Sequence, residues 1–146
     1  MLAADTYVNT DSPTKNYGTS TVLKLHSPTA EYRPLVRFTL SGLSKAPTSV
    51  KLRMFVTDGS TSGGDWYRVA DTWNETTVVW GTAPAVSGSP VASVGTVTTG
   101  TWVDIDVTSA ITGNGTYSFL ATSPSTNTTQ FASRESTTPP VVVVVP

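Results

Sequence analysis

The chain has 146 residues, with 9 basic and 10 acidic side chains and a formal net charge of −1 at pH 7. Its length suits a single two-layer domain over residues 1–146, and its balanced charge provides no field that would attract nucleic acid. Cysteine is absent, which excludes disulfides and thiolate metal sites. The longest purely apolar run, 141–145, is much too short for a membrane helix, so we expect no membrane insertion.

The composition favours an all-β protein. Thr, Val and Ser are abundant, and stiff β-branched side chains suit pleated strands. Turn-forming residues recur about every 8 to 12 positions, as in sandwiches of many short strands. We therefore predict an antiparallel, jelly-roll-like β-sandwich. In chain order its strands are expected at 4–9, 21–26, 33–39, 49–57, 66–69, 91–98, 101–106, 115–122, 129–132 and 140–145, with short helical turns at 69–73 and 108–112.

Three of the early strands share one design, in which apolar side chains face inward and basic side chains face outward. The residues concerned are Lys24, Arg33, Arg37, Lys51 and Arg53, with His26 and Tyr32 beside them. If these strands are neighbours, they form one positive patch suited to the carboxylates or sulfates of a polysaccharide. The alternative is that the basic groups pair with acids such as Glu31, Asp104, Asp106 or Glu135 on ordinary solvated faces.

The last predicted strand is a run of valines at 141–145, so both of its faces are apolar. This pattern is typical of a strand buried between layers, and an exposed one would promote aggregation. Its position also fits a strand that closes one domain and leads to the next module. The start at Met1, directly ahead of Leu2, likewise indicates a piece of a larger protein.

Five short motifs resemble, in order and over nearly the whole chain, the DNRLRE or disaggregatase-related domain family. They are Ala4 to Val8, Asn16 to Gly18, Arg37 to Leu40, Trp73 to Trp80 with Ala83-Pro84, and Phe131 to Glu135. The resemblance implies a jelly-roll-like sandwich within large secreted proteins, beside polysaccharide-degrading or adhesive domains. Some members bind acidic polysaccharides such as alginate through Lys and Arg. Thr39 departs from the family, which usually carries Asp there.

Arg134 lies in the last of these motifs. It is expected either to reach the basic patch or to form a buried pair with Glu135 or Glu75, the structural role that such pairs usually have. Among the tryptophans, Trp73 and Trp80 are expected in the core, whereas Trp66, next to Gly63-Gly64, is the candidate for exposure and sugar stacking.

Hard oxygen ligands for a structural Ca²⁺ are present in Asp5 and Asp106, although no dense acidic loop accompanies them. No other cofactor is expected. Catalysis has little basis, since His26 is the single histidine and no nucleophile or phosphate-binding motif occurs.

The sequence therefore predicts a non-catalytic, secreted or cell-surface module that binds an acidic polysaccharide. The rival hypothesis is a structural or adhesive building block, in which strand 141–145 joins neighbouring modules or copies by β-strand pairing.

Overall fold

The computed structural model describes residues 2–27 and 29–146. Its ten strands, all near their predicted positions, are β1 (Ala4–Asn9), β2 (Val22–Leu25), β3 (Tyr32–Leu40), β4 (Ser49–Asp58), β5 (Gly64–Val69), β6 (Ala92–Val94), β7 (Trp102–Asp106), β8 (Gly115–Thr122), β9 (Thr129–Ala132) and β10 (Val141–Val145). Single 3-10 turns occur at Trp80–Thr82 and Thr108–Ala110. The turn predicted at 108–112 is thus confirmed. The one predicted at 69–73 is wrong, because the chain there leaves β5 as an irregular segment that crosses a sheet.

The strands form two packed antiparallel sheets, so the predicted β-sandwich is confirmed. The first sheet has the order β1-β3-β8-β5-β6, and the second has β10-β4-β9-β2 with β7 also paired to β4. From β1 to β5, consecutive strands alternate between the two sheets. Within the described residues no helix has the length and apolar character needed to cross a membrane.

The main core lies between the sheets and is dominated by aromatic and branched side chains such as Phe38, Phe119 and Phe131. Trp66 belongs to this core, with no measurable exposure, and its Nε1 donates a hydrogen bond to the Gly63 carbonyl at 3.0 Å. The expected exposure of Trp66 is wrong, because its position on β5 directs the ring inward rather than into the adjacent loop.

A second, smaller core covers the outer face of the first sheet. The segment between β5 and β6 crosses this face and packs Trp73 and Val78 against Leu35 and Leu120. The prediction that Trp73 is a core residue is confirmed, whereas Trp80 is half-buried and packs against the edge of the same cluster. The outer face of the first sheet is therefore covered by a long connection instead of presenting polar side chains to solvent.

The valine strand is not buried between layers as predicted. β10 lies at the end of the second sheet, where β4 is its one partner among the described strands, and Val141 and Val145 are 41% and 48% exposed. Its alternate residues Val142 and Val144 pack against the core. Local hydrophobicity alone did not distinguish an apolar edge strand from a central one.

Candidate functional site

The five predicted basic residues are divided between the two sheets. Arg33 and Arg37 lie on β3 of the first sheet, whereas Lys24 on β2 and Lys51 and Arg53 on β4 belong to the second. The strands are not neighbours, because the chain alternates between sheets and β9 separates β2 from β4. The single positive face that depended on their adjacency therefore does not form.

Arg33 and Arg37 contact the segment that covers the first sheet. The Arg37 guanidinium lies 4.2 Å from the centre of the Trp73 ring and donates to the main-chain oxygens of Asp71 and Trp73. Arg33 lies 4.9 Å from the Trp80 ring and pairs with Glu31 at 3.1 Å. Both cations are thus engaged in holding the second core together.

The outer face of the second sheet carries matched charges. Arg53 pairs with Asp104 through two hydrogen bonds, of 2.8 and 3.2 Å, and Lys51 lies opposite Asp106 across the β4–β7 ladder. The guanidinium lowers the pKa of the Asp104 carboxyl through this hydrogen bond. The pairing alternative is therefore confirmed for Arg53, and this face has little excess positive charge.

Arg134 also forms an ion pair within the protein. Its Nη1 contacts both carboxylate oxygens of Glu75, at 3.2 and 2.9 Å, and both side chains are largely covered. Of the roles predicted for Arg134, the structure shows the semi-buried pair with Glu75.

A cleft of about 480 Å³ opens between β1, at one edge of the first sheet, β2, at one edge of the second, and the loop that joins them. Three tyrosines line it together with two lysines and two asparagines. The lining residues are Tyr7, Asn9, Lys15, Asn16, Tyr17, Thr19, Ser20, Lys24 and Tyr32. We call this site the tyrosine cleft, and it contains Lys24 and Tyr32 from the predicted set.

The tyrosines of the cleft form one aromatic cluster. The Tyr7 and Tyr17 rings are stacked with their centres 4.2 Å apart, and Tyr32 meets Tyr7 edge-on at 6.3 Å. Tyr7 is buried, which raises its pKa to about 12, whereas Tyr17 and Tyr32 remain half-buried at the surface. Flat, rigid rings at a partly open surface are suited to stacking on the apolar face of a sugar.

The loop between β1 and β2 is fixed by Asn16 and Gly18. Asn16 Nδ2 donates to the carbonyls of Glu75 and Val78, at 2.9 and 2.8 Å, which ties the loop to the covering segment. A Cβ on Gly18 would lie 2.3 Å from the Glu75 carbonyl oxygen, so only glycine permits this approach. Between these anchors, Tyr17 faces the cleft and accepts a hydrogen bond from Asn9 at 3.1 Å.

Lys15 and Lys24 give the cleft a positive charge. No carboxylate is among the lining residues, and neither lysine has a salt bridge within the described part of the chain. Lys15 is exposed, and its Nζ lies 5.1 Å from the centre of the Tyr17 ring. Two mobile cations beside aromatic rings form a site suited to an anionic sugar polymer.

His26 lies next to the cleft rather than in it. Its ring centre is 5.6 Å from that of Tyr32, but both ring nitrogens face main-chain oxygens, Nδ1 that of Ala30 at 2.5 Å and Nε2 that of Thr126 at 2.8 Å. These contacts favour a role in joining two loops behind Tyr32.

The sequence prediction missed Lys15, Tyr17, Tyr7 and Asn9. Tyr7 and Asn9 have the same parity on β1, a signal that the alternation of that strand contained. Lys15 and Tyr17 lie in a loop, where no periodicity indicates the direction of a side chain. The one sequence signal in this loop was the Asn16-Tyr17-Gly18 motif, which belongs to the family resemblance.

A second groove, of about 630 Å³, lies between β6 and β7 on the far side of the sandwich. Its charged lining residues are Asp104 and Asp106, which Arg53 and Lys51 face from β4. Carboxylates in the lining do not suit an anionic polymer.

The two predicted calcium ligands, Asp5 on β1 and Asp106 on β7, lie on different sheets and do not form one site. Asp106 Oδ1 accepts hydrogen bonds from the Thr108 amide and hydroxyl, at 3.0 and 2.5 Å, which lower the pKa of Asp106 and fix it beside the 3-10 turn. Asp5 instead lies with Glu75 and Glu135, one oxygen of each within 4.8 Å of the others. Burial of Asp5 raises its pKa to about 7.

Comparison with known proteins places these features in a family. The model of carbohydrate-binding module family 96 matches residues 1–146, the whole chain. No curated protein matches the sequence significantly.

Proposed function

The chain belongs to carbohydrate-binding module family 96, and we propose that its ligand is an acidic polysaccharide held in the tyrosine cleft. Family membership implies a binding domain without catalysis. The observation that carries the proposal is the combination, in one open cleft, of stacked tyrosines with two lysines for which the described residues provide no acidic partner. Rings would cover the sugar planes while the ammonium groups bind carboxylates or sulfates.

The remaining basic residues that the sequence predicted for the site support this choice. Arg33, Arg37, Arg53 and Arg134 each contact an acid, a carbonyl or a tryptophan of the protein itself. Lys51 faces Asp106. A ligand at any of these positions would have to displace an existing partner. Among the described residues, by contrast, no salt bridge involves Lys15 or Lys24, and Lys15 contacts the Tyr17 ring of the cleft itself.

We also propose that the domain acts in a secreted or cell-surface protein, as the low charge and the Thr-rich and Ser-rich composition suggest. Beside a polysaccharide-degrading domain, such a module would raise the effective concentration of substrate through tethering. The module would bind the polymer while a neighbour performs the chemistry.

Affinity electrophoresis tests the ligand class. The domain is run through gels that contain alginate, pectate, a sulfated glucan or a neutral glucan, each at low and moderate salt. We expect retardation by one or more acidic polymers that weakens with salt, because the attraction between exposed charges is screened. Retardation by neutral glucan alone would contradict an acidic ligand. Free migration in every gel would contradict polysaccharide binding of either kind.

A second candidate function rests on β10. This edge strand exposes Val141 and Val145, and a free apolar edge is the feature by which modules join through β-strand pairing. A scaffold subunit would elute from size-exclusion columns as a concentration-dependent oligomer, and Val141→Lys with Val145→Lys would return it to a monomer. Monomeric elution of the unchanged domain at high concentration would exclude this function.

A further inference from the structure

A group of carboxylates lies close to the tyrosine cleft but outside it. Asp5 comes from β1, Glu75 from the segment that covers the first sheet, and Glu135 from the chain after β9. One oxygen of each lies within 4.8 Å of an oxygen of the other two. Residues distant in sequence are thus brought together by the fold, and no sugar-binding role accounts for them.

The charges of this group are incompletely balanced. Arg134 is bound to Glu75 at 2.9 Å and is the one cation that the described residues place in an ion pair with the cluster. Ser133 Oγ donates to Glu135 at 3.1 Å, and the Asp5 amide donates to Glu75 at 2.8 Å. Against one guanidinium stand three carboxylates, so two negative charges remain when all are ionised.

Asp5 supplies an independent indication of a missing partner. Its side chain is only 1% exposed, and Oδ2 accepts a hydrogen bond from the Arg134 amide at 2.9 Å. Its second oxygen, Oδ1, is buried and has no hydrogen-bond partner among the described residues. A buried carboxylate oxygen without a partner is costly and calls for a proton donor, a water molecule or a cation.

We propose that Asp5, Glu75 and Glu135 bind a calcium ion. Ca²⁺ takes oxygen ligands at about 2.3 to 2.6 Å, so two ligands on opposite sides of it are about 5 Å apart, a span that fits this group. Its two positive charges match the excess negative charge, and it provides a partner for Asp5 Oδ1. Glu135 is exposed, which gives the ion a route from solvent and room for water ligands.

The ion would connect three parts of the molecule. It would fix β1 to the covering segment and to the chain after β9, at the point where Glu75 also accepts the Asn16 hydrogen bond of the cleft loop. Calcium would therefore stabilise the fold and steady one wall of the tyrosine cleft, without itself touching the sugar. This inference does not depend on the identity of the polysaccharide.

Thermal unfolding with and without calcium tests the proposal. The domain is stripped with EDTA and dialysed, then melted with CaCl₂, with MgCl₂ or with NaCl of equal ionic strength. At a Ca²⁺ concentration about 100-fold above the dissociation constant, we expect a rise in Tm of roughly 5 °C or more that the other salts do not reproduce. Calorimetric titration with CaCl₂ should show one site.

Two variants locate the site, and a third serves as the control. Asp5→Asn and Glu135→Gln keep side-chain volume and should each abolish the calcium-dependent rise; Glu135 is exposed, so its variant folds even if the Asp5 variant does not. Asp106→Asn, which alters a carboxylate on β7 of the second sheet that is bound to Thr108, should retain the rise. An unchanged Tm of the parent domain in calcium, or an undiminished rise in Glu135→Gln, would overturn the proposal.

Discussion

At the scale of single residues, Asp5 shows how burial changes the pH dependence of stability. Removal from water raises the pKa of its carboxyl from 3.8 to about 7, Glu135 and Glu75 add to the rise, and the Arg134 amide and guanidinium oppose it. The folded state therefore holds a proton that the unfolded chain loses above pH 4. This contribution to stability is full below that pH and is lost as the pH rises to about 7.

The prediction for Asp5 concerns the domain in EDTA, without divalent cations. Between pH 5 and pH 8 the free energy of unfolding should fall in the parent domain and should fall much less in Asp5→Asn, which has no proton to lose. Urea unfolding at the two pH values measures the difference. An equal fall in both proteins would show that another group is responsible.

Arg37 is a second residue whose surroundings determine its role. Its planar guanidinium both stacks on Trp73 and donates to two carbonyls, geometry that a lysine does not reproduce. Arg37→Lys should lower the free energy of unfolding by about 1 to 3 kcal/mol, because stacking and charged hydrogen bonds are lost together.

Arg53→Lys is the matched control for Arg37. Its pair with Asp104 is solvent-exposed, and such pairs contribute little to stability. Urea unfolding should therefore distinguish the two substitutions. Equal effects would contradict a structural role for Arg37 in the second core.

At the scale of elements, the loop between β1 and β2 forms the wall of the cleft because glycine allows it to approach the covering segment. Gly18→Ala would place a Cβ 2.3 Å from the Glu75 main-chain oxygen, which cannot move like a flexible side chain. We expect a loss of about 1 to 3 kcal/mol in the free energy of unfolding, as for other overpacked sites. Polysaccharide affinity should also fall, because Tyr17 and Lys15 belong to the displaced loop.

Gly81→Ala provides the comparison for this prediction. A Cβ at Gly81 meets nothing within 4 Å, so the change should be neutral or slightly stabilising through the unfolded chain. Thermal and urea unfolding of the two variants give the result. A Gly18→Ala protein as stable as the parent would contradict the close approach.

Strands and their faces were predictable from the sequence, because alternation and turn residues act within a few positions. Leu23 and Leu25 of β2 are fully buried while Lys24 is only half-buried, as their parity predicted. The neighbours of a strand were not predictable in this way. β4 pairs with β7, β9 and β10, partners at least 44 residues away along the chain, and no local pattern specifies them.

At the scale of the whole molecule, this limit explains why the predicted single basic face does not form. The same parity on successive strands was expected to give one basic face, but alternation between sheets placed Arg37 and Arg53 on opposite outer faces. Lys24 and Tyr32 do reach a shared cleft, because both lie at the edge where β1 and β2 approach. Carbohydrate binding, predicted from the order of motifs, is supported by the family match.

Calorimetric titration of the lysine variants tests the proposed cleft most directly. The parent domain, the double variant Lys15→Ala with Lys24→Ala, and the control Lys51→Ala are titrated with the acidic polymer that retards the parent domain most strongly. We expect the double variant to bind at least about tenfold more weakly and the control to bind like the parent, because Lys51 already faces Asp106. Unchanged affinity in the double variant would contradict binding in the tyrosine cleft. An equal loss of affinity in Lys51→Ala would also contradict it and would point to the outer face of the second sheet.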